Sequence, residues 1–178
     1  RMATLFGLSN RMRFDLVVNI LTSKAFFDSR IPIFGGEQWR PNLHVNDAAR
    51  SFVHALEADS TLSSGQIFNV GSNNLNYKIL DLGKLINQHL PLAEIEVIES
   101  EADNRDYRVR FDKIEDLGFE CKKDVSFGIT EIINFLRTNK EINTDSSKFN
   151  NYLTFKDTLL EKLVTSGESE FIEVQKNE

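Results

Sequence analysis

The residues best suited to chemistry in this chain are arginines, and the most constrained of them is Arg40. It sits in "GGEQWRPNLHVNDAAR", Gly35 to Arg50, between Trp39 and Pro41. Pro41 limits Arg40 to extended geometry, and Trp39 offers a flat wall beside it. A guanidinium held in this way can fork across two phosphate oxygens and has little ordering entropy left to lose on binding. It can equally pair with Glu37 or Asp47 and only close the turn. Arg105, Arg108 and Arg110 in "DNRDYRVR" form a second group of cations, for which the plain reading is solvated charge on an edge strand. Asn69, two residues before Gly71, either faces a ligand or bonds its own backbone in a turn. His44, His54 and His89 have no ligand spacing, and with the single Cys121 they support no metal site.

Composition narrows the classes. Of 178 residues, 27% are charged and 40% hydrophobic, which suits a soluble globular chain. A net charge of −6 supplies no basic field for gripping nucleic acid, so any anion must be held by local arginines. One cysteine rules out an internal disulfide framework and is compatible with the cytoplasm. No apolar run approaches the roughly 20 residues of a membrane span, and no signal peptide is visible. The chain opens on Arg1 in "RMATLFG", already in mid-strand, and is read as a fragment of a longer protein.

The elements that must position these residues alternate between strand and helix, which predicts an α/β fold. Strands are expected at "MATLF", at "RIPIFGG" with Pro32 marking an edge, and at "NLHV". Further strands are expected at "GQIFNVG", "AEIEVIES" and "YRVRF". Phe14, Val17, Val18 and Leu21 predict a helix over "MRFDLVVNILTSKAF". Asn46 or Asp47 should cap a helix whose inner face is Ala48, Ala49, Phe52, Val53 and Leu56. Asn76 should cap one burying Ile79, Leu82, Leu85 and Ile86, and Asp112 the short "DKIEDLG" that Gly118 stops. Asp124 should open a helix burying Ile129, Ile132, Ile133 and Leu136. From about Asn139 to Asn151 the chain turns polar and is expected to be a linker or loose arm. An amphipathic helix at "LTFKDTLLEKLV" and a mobile tail complete the expectations.

Five short pieces in one order, "FGLS", "IFGGEQWR", "NLHVNDAAR", "IFNVG" and "RDYRVRFDKIEDLGF", resemble the extended short-chain dehydrogenase/reductase family. Its members are NAD-dependent epimerases and dehydratases acting on nucleotide-diphosphate sugars. The likeness covers the family's late half, from Arg1 to about Asn139. It implies late strands of a doubly wound Rossmann-type sheet plus the small C-terminal substrate-binding subdomain in residues 1–139. Residues 140–178 would then be the polar linker, helix and tail.

What the resemblance implies for residues is specific. Arg40 falls at the family's diphosphate-binding arginine, and Arg105, with Tyr107 beside it, at a second phosphate arginine. Asn69 corresponds to a position facing the nucleotide, Asn19 to an asparagine near the substrate, and Thr4 to the strand that approaches the nicotinamide of NAD. The family's Gly-x-x-Gly-x-x-Gly turn, which aims helix N–H groups at a pyrophosphate, is not in this sequence. The catalytic Tyr-x-x-x-Lys pair would precede Arg1. Tyr152 and Lys156 have that spacing but lie beyond the resemblance. The chain is therefore expected to hold no catalytic pair and no NAD by itself and to need the family's N-terminal half, with pairing to a second copy as the other way to cover its strands. The alternative is a relative kept as a non-catalytic binding or regulatory protein.

Overall fold

The computed structural model describes residues 1–99 and 105–166. The order is β1 (Thr4–Phe6), α1 (Val17–Asp28), β2 (Arg30–Phe34), β3 (Trp39–His44), α2 (Val45–Glu57), the single turn α3 (Ser60–Ser63), β4 (Asn76–Lys78), α4 (Ile79–His89) and β5 (Glu94–Ile98). Three helices follow the last strand: α5 (Asp112–Asp116), α6 (Val125–Thr138) and α7 (Asn151–Ser166). β1 runs parallel to β3, from Thr4 opposite Asn42 to Phe6 opposite His44. β3 in turn pairs antiparallel with β4, from Trp39 opposite Lys78 to Pro41 opposite Asn76. β2 and β5 form a separate parallel pair, Arg30 opposite Glu94 through Phe34 opposite Ile98. Parallel strands joined by helical crossovers make this the α/β fold that the alternation predicted.

Two apolar cores hold the elements together. The larger lies where α1, α4 and α6 close on Ile31 and Ile33 of β2, with Leu82, Ile86, Ile129, Ile132 and Leu136 fully buried. Each such side chain contributes about 1.5–3 kcal/mol relative to exposure. The smaller gathers Leu43, Val70, Phe111, Ile114 and Phe119. Cys121 packs against both. Burial, then the charge of Asp47, pushes its thiol up to about 12. At pH 8 the thiolate fraction should therefore be on the order of one in ten thousand. Iodoacetamide is expected to label the native chain far more slowly than the chain unfolded in urea. Equal rates would mean the thiol is reachable.

Several expectations need correcting. α1 starts at Val17 rather than Met12, because Met12 and Phe14 are buried in a loop whose Phe14 N–H bonds to Phe149 O at 3.0 Å. β3 reaches back to Trp39 and so includes Arg40 and Pro41; Pro41 precedes Asn42, where the β1 ladder begins. "GQIFNVG" makes a bridge only at Val70, whose carbonyl accepts from Ala3 N–H and whose N–H bonds to Arg1 O. Residues 105–111 form no strand: Val109 bonds both ways to the side chain of Asn76. Asn76 opens β4 and does not cap α4, and Asp112 is the first residue of α5. Asp124 does cap α6, accepting from Phe127 N–H at 2.7 Å.

The largest departure concerns α2. Its cap is the His44 ring, which accepts from Asn46 N–H at 3.2 Å. The inward residues are Asp47, Ala48 and Ser51; of the expected inner face only Ala48 is buried, while Ala49 is exposed, Phe52 is 64% exposed, Val53 54% and Leu56 87%. The 3.6-residue period was real, but among the described residues nothing buries that stripe. Asp47 locks the opposite side. Its carboxylate accepts from Lys122 N–H at 3.0 Å, Lys123 N–H at 2.8 Å and Arg50 at 2.6 Å. The polar arm after Asn139 is tied down by bonds to the middle of α1 and to the loop before it, and the mobile tail expected after residue 166 lies outside the described residues.

Candidate functional site

A groove of about 650 Å³ opens along α1. Val17, Ile20, Leu21 and Lys24, one face of that helix at three- and four-residue spacing, form its floor. Pro32 and Phe34 of β2 make one wall, and Gln38, Arg40, Arg105 and Tyr107 close the other side. Asp15 and Leu16 stand at the start of α1, and Thr4 and Ile79 also line the groove. The surface is thus mostly apolar, with cations and one acid at its margin.

Local structure explains how Arg40 is presented. The tight turn at Gly35 and Gly36, with φ of 74° and 111°, is held by Gln38, whose Oε1 accepts from Gly36 N–H at 2.7 Å. β3 starts three residues later, so Arg40 is fixed by strand pairing opposite Tyr77. Its side chain is buried, at 8% exposure. Nη1 donates to Trp39 O at 2.8 Å and to Arg105 O, and the guanidinium lies 5.5 Å from the centre of the Tyr107 ring. Neither Glu37 nor Asp47 closes the turn through it. Glu37 pairs with Lys78 at 2.6 Å, and Asp47 with Arg50 and two backbone N–H groups.

Segment 105–108 crosses the start of β3. Asp106 accepts from Trp39 N–H at 2.8 Å, and Arg108 stacks over the Trp39 ring at 4.3 Å. Arg105 and Tyr107 are therefore carried to Arg40 across 65 residues of sequence by backbone and stacking contacts. Tyr107 and Thr4 also line an adjoining cavity of about 300 Å³ that contains Asn69, whose Nδ2 donates to Arg110 O at 3.3 Å. Of the residues singled out in the sequence, Thr4, Arg40, Arg105 and Tyr107 meet at one groove and Asn69 sits in its neighbour.

Asn19 does not join them. It is buried beneath the groove, with Oδ1 accepting from Gly7 N–H at 3.1 Å and Nδ2 donating to Arg13 O at 2.8 Å. It ties the end of β1 to the loop before α1. Gly7 belongs to the same join: its φ of 97° and the His44 imidazole against it leave no room for a side chain. Buried His44 meets Glu131 at 3.1 Å, and His54 and His89 bond to Leu117 O and Ser126. Among the described residues no group of His, Cys, Asp and Glu could hold a metal ion. Tyr152 is 71% exposed on α7 and does not line the groove.

Phe34, Lys24 and Asp15 are among the groove residues that the sequence did not single out. Phe34 is 54% exposed, and an aromatic beside a Gly-Gly turn was the available signal. Lys24 and Asp15 gave none. Burial pushes the Asp15 carboxyl up, but the hydrogen bond and charge of Arg13 outweigh it and hold the group below its ordinary value.

Known proteins share this architecture. Residues 1–71 match the NAD dependent epimerase/dehydratase family. The chain superposes on UDP-glucose 4-epimerase from Thermotoga maritima, solved with UDP-glucose, with 24% identity and a TM-score of 0.65, covering 79% of this chain and 45% of that one. UDP-glucuronic acid 4-epimerase from Bacillus cereus, in complex with NAD and a fluorinated UDP-sugar, gives 20% identity and 0.64, covering 78% and 44%. The dTDP-glucose 4,6-dehydratase from Bacillus anthracis, in complex with NAD, gives 21% and 0.60, covering 79% and 44%. The chain spans less than half the length of each of these structures. Among the described residues no helix is long and apolar enough to cross a membrane. The sequence of residues 1–71 is thus similar to the NAD dependent epimerase/dehydratase family, and the fold over about four fifths of the chain is similar to that of these solved enzymes.

Proposed function

We propose that the groove binds the nucleoside diphosphate of a nucleotide-sugar and that the chain serves as the substrate-binding portion of an NAD-dependent epimerase or dehydratase. The observation that carries this is the convergence of Arg40, Arg105 and Tyr107 at the edge of an apolar groove that also contains an exposed aromatic, Phe34. Two guanidinium groups suit the two charges of a diphosphate, and Phe34 and Pro32 offer a flat apolar wall to a base. Asn69 in the adjoining cavity would reach the same ligand past Tyr107. A grip this far from the reacting sugar positions it, so it supports turnover as well as affinity.

The residues of this chain do not by themselves fit NAD. The sequence has no Gly-x-x-Gly-x-x-Gly turn to cradle a pyrophosphate, and α2 and α6 begin under side-chain caps from His44 and Asp124. The outward stripe of α2, Phe52, Val53 and Leu56, is the surface we assign to a dinucleotide-binding half, which would supply the NAD site and the proton-transfer pair. Only Thr4 would approach the cofactor from this side. A cytoplasmic setting goes with this reading, since the lone Cys121 asks for no oxidising compartment.

Calorimetric titration of the 178-residue chain tests the reading. Saturable binding of at least one of the UDP, dTDP, CDP, ADP and GDP sugars is expected, without saturable binding of NAD at micromolar Kd, about −8 kcal/mol. Binding of none of the sugars would leave a plain interaction module. Sugar binding that persists while the intact protein shows no turnover would favour a non-catalytic relative. A chain that self-associates through the α2 stripe, and is dispersed by Leu56→Lys, would assign that face to a second copy.

A further inference from the structure

Residues 142–151 lie outside the family match, which ends at 71, yet they run alongside the helix that floors the groove. Contacts advance along this segment as they retreat along the start of the chain. Thr144 Oγ1 meets Ser23 Oγ at 3.1 Å, and Asp145 Oδ2 accepts from Lys24 Nζ at 3.1 Å. Further on, Phe149 packs edge-on to Phe14, with ring centres 5.5 Å apart, and its carbonyl accepts from Phe14 N–H at 3.0 Å. At the end, Asn151 N–H donates to Asp15 Oδ2 at 3.3 Å, and Asn151 Oδ1 accepts from Arg11 at 2.5 Å. Ile142 and Phe149 anchor the segment in the larger core.

The placement of these contacts is selective. Asp15 and Lys24 are the two charged residues through which α1 and its entry loop reach the groove, and they stand nine positions apart, about 13 Å along a helix. Each is held by one end of the segment. Asp15 keeps Arg13 as a second partner, at 2.7 and 2.9 Å, and Lys24 keeps Asp28 at 3.5 Å. Release of the segment would thus leave both charges in the groove, each with one partner fewer to fix its orientation.

We propose that residues 142–151 are a strap that sets Asp15 and Lys24 for the ligand, so that strap docking and nucleotide-diphosphate binding are coupled. This rests on the groove being the nucleotide site. A ligand meeting both charges favours the docked strap, and by linkage the docked strap must favour the ligand by the same factor. Asp15 and Lys24 act here as positioned contacts, and Phe149, Asp145 and Asn151 as positioning residues.

The test uses the 178-residue chain and a panel of UDP, dTDP, CDP, ADP and GDP. Phe149→Ala is expected to weaken binding of the best of them by about fivefold or more while circular dichroism stays unchanged. The bound nucleotide should in turn slow hydrogen exchange at the Phe14 and Asn151 amides, which a merely structural strap would leave unmoved. Asp145→Asn, on an exposed side chain, gives the same comparison if Phe149→Ala does not fold. Unaltered affinity in a folded variant, with exchange indifferent to nucleotide, overturns the strap and leaves the groove standing. Failure of the wild-type chain to bind any of the five overturns the groove reading, and the strap with it.

Discussion

Replacing Arg40 with alanine is expected to weaken nucleotide-sugar binding by about 2–4 kcal/mol, or roughly 30- to 1,000-fold in Kd. The size follows from where the guanidinium sits. At 8% exposure Arg40 is largely stripped of water, so a phosphate loses a charge-assisted partner that solvent cannot replace. Its bonds to Trp39 O and Arg105 O, and the Tyr107 ring beside it, hold the fork in place before any ligand arrives. Little ordering cost then remains on binding. Arg40→Lys should recover only part of the loss, because an ammonium offers a point charge and no fork. Titration of both variants with the preferred nucleotide-sugar measures this, and an unchanged Kd for Arg40→Ala removes the assignment. The fold should survive, since the strand pairing around Arg40 is backbone to backbone.

Asp47→Ala should do the reverse, costing stability far more than ligand contact. The Asp47 carboxylate is buried and accepts three hydrogen bonds, two of them from the backbone entering α6. Alanine would strand the Lys122 and Lys123 N–H groups and detach α2 from α6. Leaving such donors unmatched costs about 1–3 kcal/mol each, so a total of roughly 2–4 kcal/mol is expected once partial exposure of Arg50 is discounted. Urea unfolding should show a lower midpoint with an unchanged slope. Asp47→Asn should recover part, since its side-chain oxygen can still accept. An unshifted midpoint for Asp47→Ala would mean that this junction does not hold the two helices together.

The elements themselves were legible because local physics writes them. Gly118 stops α5, Asp124 caps α6, and Ile129, Ile132, Ile133 and Leu136 show the period of a buried face. Arg40 could be picked out because Trp39 and Pro41 restrict it within three residues of sequence. Other features depend on separations that a local pattern cannot encode. Arg105 reaches Arg40 only because Asp106 and Arg108 fasten their segment over Trp39. Asp15 and Lys24 enter the groove only because α1 lies against β2 and the strap returns along it. Asn19 accepts from the Gly7 N–H and so joins β1 to its following loop, a contact that the local pattern around Asn19 does not contain. Asn76 does not cap α4, since pairing of β3 with β4 claimed it for a strand, and His44 caps α2 in place of the expected Asn46 or Asp47. The α2 stripe marks the boundary most clearly. Periodicity declares that Phe52, Val53 and Leu56 share a face, but which surface covers a face is a matter of contacts between distant pieces. The sequence by itself determined the alternating α/β elements and the constrained arginine; the tertiary structure decided which side chains share a groove, because only packing brings residues far apart in the chain within bonding distance.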